Sequence, residues 1–327
     1  MPFLDIQAVL DAALQLLNAC RLDQPGSFSR TPGGESDPAA STAAVSLLYI
    51  LGVLPGHSGE RDKWINGLRS TQDKATGLVM CKGQPDPAAT AACAAALECF
   101  DMRLSHTPHS LMPYADPVEL PLLLDKLPWE EDPAAAGEFS AAVFTLMTLG
   151  DEASHHWEDA WFHWFNRAFD EHTGLVKKNN ITPVVLLEQY TLFPYLQGLF
   201  PVLTVYNSAR MPHPFPWRLI DTILEMLETN WSLFSRDLNA RELPLIYALS
   251  RSMRITPHRH EECLQMLRRF SHRWLRYLKE QAQAGHLNDL VLTTRSLCAI
   301  AELQHILPGY VRTRRSLRQV LNRRPFL

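Results

Sequence analysis

The chain has 327 residues, of which 46% are hydrophobic and 20% charged, with a net charge of −4. That balance excludes a disordered chain, and no apolar run approaches the roughly 18 residues that cross a bilayer. Six cysteines, none in a C-x-x-C pair, and an N-terminus without a basic leader point to a cytoplasmic protein with free thiols rather than disulfides or zinc.

In chain order, a pairing segment over about Phe3 to Arg21 precedes the first copy of Asp-Pro-Ala-Ala, at Asp37. The tetrapeptide returns at Asp86 and Asp132, at spacings of 49 and 46 residues. Each copy opens an alanine-rich run of helical length: residues 38–52, 87–100 and 133–150. The aspartate suits a helix N-cap and the proline the first helical position, where its missing N–H would be unpaired anyway. Gly52 is a natural stop. Amphipathic segments around Trp64 to Leu68, Pro117 to Leu127 and Trp161 to Phe169 alternate with these runs. After two of them the string Asp-x-x-Thr-Gly-Leu-Val recurs, at Asp73 and Asp170, 97 residues apart, where glycine fits a helix C-cap. Three weaker copies follow, with apolar helices starting near Thr182, Asn239 and Asn288 and partners over about Trp217 to Glu228 and Glu261 to Gln281. No stretch alternates as a strand. A fixed period near 48 residues marks a repeat architecture. The expectation is an all-α (α/α)6 toroid of six helical hairpins over residues 1–308, then a short basic C-terminal helix over 309–327.

The chain resembles the α/α-toroid superfamily of terpenoid cyclases and protein prenyltransferase β subunits. The resemblance is carried by Phe28-Ser29-Arg30-Thr31-Pro32-Gly33-Gly34, then Asp37, Thr42-Ala43-Ala44 and Leu51-Gly52. It implies an enzyme that binds an apolar or isoprenoid ligand with an anionic head in a central cavity, and Mg²⁺ with a diphosphate as the cofactor chemistry. The chain lacks the Asp-x-Asp-Asp and Asp-Asp-x-x-Asp/Glu motifs of the cyclases and the zinc set of the prenyltransferases, so no metal ligands are assigned. The Gln72-to-Leu78 string also resembles loops of (α/α)6 sugar enzymes, which implies as alternatives a hydrolase, lyase or epimerase on uronic-type sugars. A non-catalytic interaction scaffold is the third reading.

In such rings the starts of the inner helices line one mouth, where helix dipoles favour anions. Residues near those starts include Arg241, Glu242, Asp37, Asp86 and Asn288; Asp37, Asp86, Arg241 and Asn288 are the expected ligand contacts, with Tyr190 and Tyr195 on the wall. A carboxylate inside an apolar run is costly unless paired or functional, which singles out Glu138 and Glu188 as catalytic acids. Trp129-Glu130-Glu131-Asp132 is the densest acid cluster, and Glu130 or Asp132 beside an aromatic is a further proton donor. His106/His109 and His258/His260 with Glu261, Glu262 and Cys263 have marginal metal spacing, and a surface role is the plainer reading.

Charge is uneven along the chain. From Arg251 onward there are 15 basic and 5 acidic residues, leaving 16 basic and 30 acidic before it. This reads either as an anion-facing wall or as mutual attraction of the two ends. The basic tail lacks interleaved aromatics, so a protein partner suits it better than nucleic acid.

Overall fold

The computed structural model describes residues 4–149, 156–176, 192–229 and 241–322. In order these are β1 (Leu4–Asp5), α1 (Gln7–Ala19), α2 (Pro38–Leu51), α3 (Ser58–Arg69), β2 (Val79–Cys81), β3 (Gln84–Asp86) and α4 (Pro87–Glu98), then α5 (Glu119–Lys126), α6 (Pro133–Met147) and α7 (His156–Ala168). They continue with α8 (Phe193–Ser208), α9 (Pro216–Thr229), α10 (Glu242–Ile255), α11 (His260–Gln283), α12 (Leu290–Ile306) and β4 (Val311–Arg312), with short 3-10 turns at His109–Ala115 and Val320–Asn322. The all-α expectation holds, and the three Asp-Pro helices start where the caps placed them.

The chain forms two compact units. One comprises Met1–Thr107, Ser235–Leu243 and Leu267–Leu327, the other Pro108–Phe234 and Pro244–Met266.

In the first unit α2 packs between α12 and α4. α2 and α4 are rich in alanine, serine and threonine, which lets neighbouring helices approach closely. The Thr294 hydroxyl of α12 donates to the Ala43 carbonyl of α2, 3.3 Å away. The Leu290 amide, which opens α12, donates to Arg30 O in the loop before α2. These contacts join the opening turns of α12 to α2 and to the loop that precedes it. The amphipathic helices α1 and α3 pack on this layer with one face and leave the other to solvent.

In the second unit α6 and α8 make the tightest helix pair among the described residues. A methyl group added at Gly137 would overlap the Gly198 backbone, and one at Gly198 would overlap that of Pro133. Around this crossing Phe144, Trp157, Trp161, Phe162, Phe165 and Tyr206 interlock through tilted and edge-on ring contacts. The Tyr206 hydroxyl, buried in this core, donates to Asn166 Oδ1 at 2.7 Å.

The repeated Asp-x-x-Thr-Gly-Leu-Val string builds one loop twice. Asp73 accepts from the Thr76 amide and hydroxyl, both at 2.8 Å, and the Asp73 amide donates to Leu78 O. Asp170 repeats this with Thr173 at 2.8 and 3.1 Å and with Leu175 O. Here the structure corrects the C-cap expectation. The helix has already ended at Arg69, with Ser70 as its cap. Gly77 and Gly174 instead take the left-handed turn, φ 74° and 69°, inside a loop closed by its own aspartate. A third loop, Leu22 to Phe28, shares the Gly26 turn and the strand-like closure, but not the aspartate.

Two further expectations change, and a third lies partly outside the described residues. Short strands exist: β2 and β3 pair antiparallel across Lys82-Gly83, both with positive φ, a two-residue turn too brief to show as alternation. The fourth inner run, expected from Thr182, lies outside the described residues up to Leu192; the described helix opens at Phe193, with Pro194 in its first turn. The tail is not a helix as far as Asn322. Val311–Arg312 pairs parallel with β1, and the Arg318 amide donates to Ile50 O, so its backbone groups serve other elements.

Candidate functional site

In the first unit the ends of α2, α4 and α12 are built alike. Asp37 Oδ1 accepts from the Ala39 amide at 2.8 Å, Asp86 Oδ1 from Ala89 at 3.0 Å and Asp289 Oδ1 from Leu292 at 2.9 Å. Each carboxylate occupies a first-turn amide and sits in the positive end of its helix dipole. The β2–β3 hairpin brings Cys81 to this rim. Its thiol is pushed up to about 11, first by burial and then by the carboxylates of Asp86 and Asp37, so it is a neutral thiol there. Arg30 binds Asp289 at 2.7 Å. Asn288 is exposed beside it.

The same unit holds Arg241 and Glu242, at the opening of α10. Arg241 is half-buried, and Glu242 is only 2% exposed. A carboxylate in the first turn of a helix is normally held down by the dipole, an effect of up to about 1 kcal/mol. Here burial wins. It pushes the Glu242 carboxyl up to about 7, against the backbone amides of residues 242 and 241 and the Arg241 charge. Sequence reasoning placed Glu242 near a helix start but did not choose it. Its signal was a glutamate directly ahead of the apolar run from Leu243, which does not tell whether the side chain turns inward.

In the second unit the acid cluster divides. Trp129 is buried, donates from Nε1 to Leu124 O at 2.8 Å and packs on Trp164 and Phe165. Glu130, Glu131 and Asp132 stay exposed, and Asp132 caps α6 through the Ala135 amide at 3.0 Å. The aromatic therefore turns into the core and does not desolvate its acidic neighbours. Glu138 is exposed on α6, so the burial cost that singled it out does not arise. Tyr195 is half-buried at the start of α8, and its hydroxyl is held up by burial and by the Glu130 charge. Glu188 and Tyr190 lie outside the described residues.

The structure thus gathers Asp37, Asp86, Asn288 and Arg241 in one unit with Glu242, and Glu130, Asp132, Glu138 and Tyr195 in the other. No group of three His, Cys, Asp or Glu side chains among the described residues is arranged to hold a metal ion. His258 instead binds Asp221 at 2.8 Å, which also accepts from Arg259 at 3.0 Å, tying the start of α11 to α9. No helix among the described residues is long and apolar enough to cross a membrane. Comparison with family models, with curated proteins and with solved structures finds no match to this chain.

Proposed function

We propose that this chain is an (α/α)6 toroid enzyme that uses general acid–base catalysis on a hydroxyl-rich, uronic-type sugar bound at the starts of its inner helices. The observation that carries this reading is Glu242, a buried carboxyl poised near neutrality beside Arg241 at the opening of α10. An acid with a pKa near the working pH is suited to protonating a leaving-group oxygen and taking the proton back. Arg241 suits a sugar carboxylate, and the outer oxygens of Asp37 and Asp86 suit sugar hydroxyls. The ring is supported by the packing of the last inner helix, α12, against the first, α2. Six free thiols, five of them buried, support a reducing, cytoplasmic setting.

The isoprenoid reading, with a diphosphate head and Mg²⁺, asks for cations and free amides at this rim. At the starts of α2, α4 and α12, Arg30 is already held by Asp289, Lys82 stands next to Cys81, and aspartates occupy cap amides. It therefore stands second.

A thermal-shift panel of uronic oligosaccharides and isoprenoid diphosphates, each with and without Mg²⁺, separates the readings. Ligand at 100 times Kd stabilises by about 2.7 kcal/mol. A shift with sugars, followed by turnover that Glu242→Gln lowers about 10²- to 10⁴-fold, is the expected result. A shift with diphosphates alone restores the isoprenoid reading. Silence from both leaves the scaffold, whose partner the tail would contact.

A further inference from the structure

The connection between α8 and α9 is held in a strained form around a buried histidine. Arg210 ends α8 with φ 57°, and Phe215 opens α9 with φ 49°. Neither is glycine, and an aromatic held in this region costs on the order of 1–3 kcal/mol. Surroundings must enforce it. His213, 3% exposed, stands between the two. Its Nδ1 lies 3.1 Å from Pro214 O, which only accepts, so Nδ1 carries the proton. Its Nε2, 3.2 Å from Ser252 Oγ on α10, then accepts from that fully buried hydroxyl. The ring also stacks on Phe169, just after α7, with centroids 6.2 Å apart.

The Pro214 carbonyl can accept from Nδ1 in either charge state and the Ser252 hydroxyl can donate to Nε2 or accept from it, so it is the burial of the ring that disfavours its charged form. The charged groups on the elements packed against it do not compensate a proton. Asp170 spends its carboxylate on Thr173, and Arg251 lies 4.4 Å from the Tyr247 ring centroid. The connection itself contributes Arg210, α10 the exposed Arg254, and α9 Arg218 with the acids Asp221, Glu225 and Glu228, of which Asp221 is bound to His258 and Arg259 and the two glutamates are exposed. Burial lowers the proton affinity of His213, to a pKa of about 4, and only the Pro214 carbonyl opposes it.

We propose that His213 is an acid-sensitive latch: neutral, it ties the α8–α9 connection to α10 through Ser252, and protonated, it releases that connection. Release lets Arg210 and Phe215 relax to negative φ, so the strain works with the proton. Met211 and Trp217, already partly exposed apolar side chains, move with the opened segment.

Hydrogen exchange of the full chain between pH 7 and 4, corrected for intrinsic rates, tests this. The amides of residues 210–219 should lose protection at least tenfold on acidification while α6 and α8 keep theirs. His213→Asn, which retains a donor for Pro214 O, should remove the pH dependence. Ser252→Ala removes the tie to α10 in either charge state, so the protection of 210–219 should already be lower at pH 7. The idea is overturned if wild-type protection of 210–219 is lost only together with that of α8, or if His213→Asn opens with the same pH profile.

Discussion

Two buried titratable residues set opposite pH dependences. His213 has a folded pKa of about 4 against an unfolded value of about 6.5, so its contribution is complete above 6.5 and is lost as pH falls through 4. Glu242 has a folded pKa of about 7 against about 4.5, so its contribution is complete below 4.5 and is lost as pH rises through 7. Each amounts to about 3 kcal/mol, taking 1.36 kcal/mol per pKa unit. The windows overlap and the signs oppose, so these two groups leave the wild-type profile nearly flat between pH 4 and 8. Glu242→Gln is expected to show stability rising with pH across that range, by about 3 kcal/mol in chemical denaturation. The same substitution is the one that should abolish turnover. A gain in stability with a loss of activity would mark Glu242 as a residue kept for function. A wild-type profile that rises with pH as that of Glu242→Gln does would mean that the Glu242 carboxyl is solvated.

At the scale of elements, the Asp-Pro starts and the glycine crossing respond differently to change. Asp86→Ala removes one amide partner of α4 and should cost about 1 kcal/mol, read as a shift of the denaturant midpoint at constant slope. Gly137→Ala drives a methyl into the Gly198 backbone, where no side chain can yield. Two helices must separate, so a loss of 3 kcal/mol or more is expected, or failure to fold. Gly56→Ala, with open space around the new methyl and no unusual φ, is the control and should stay within about 0.5 kcal/mol. The paired aspartate loops make a matched test. Asp73→Ala and Asp170→Ala each delete the acceptor that closes the turn, and both should lower the melting temperature without changing helix content by circular dichroism.

For the molecule as a whole, the charge split along the sequence has a local structural basis. Asp37, Asp86, Asp132 and Asp289 sit at helix starts. Arg318, in the basic tail, lies over Tyr49 with its guanidinium against Gly52, at the C-terminal end of α2. Acids at positive ends and a base at a negative end complement the helix dipoles. This pairing accounts for part of the imbalance that the sequence alone read either as an anion-facing wall or as mutual attraction of the two ends. Val320 and Leu321 are buried, and β4 pairs with β1. Ending the chain at residue 308 should therefore unpair β1, uncover the seat of Val320 and Leu321, and lower stability by several kcal/mol. A truncated protein that melts like the full chain would show that the tail is an appendage.

The helices were legible because their signals are local. A capping aspartate, a proline in the first turn, an apolar period and a glycine stop act within one or two turns, and residues 37–52 carry all four. The repeated loop was legible as a string, yet its closure was misread, since an aspartate that bonds its own turn looks in sequence like any residue after a helix. The candidate site was legible as a set of helix starts but not as chemistry. Glu138 stands in an apolar run and proves exposed; Glu242 stands at a run's edge and proves buried. Which side of a helix meets solvent depends on what packs against it, and that is supplied by residues far away in sequence. For the same reason the two compact units, the glycine crossing of α6 with α8 and the His213–Ser252 pair, 39 residues apart, were decided by tertiary structure alone. The sequence by itself determined the helical class and the caps, because these rest on backbone geometry and near neighbours. Burial, proton affinity and strain came only with the packing, because each is a property of the surroundings and not of the residue.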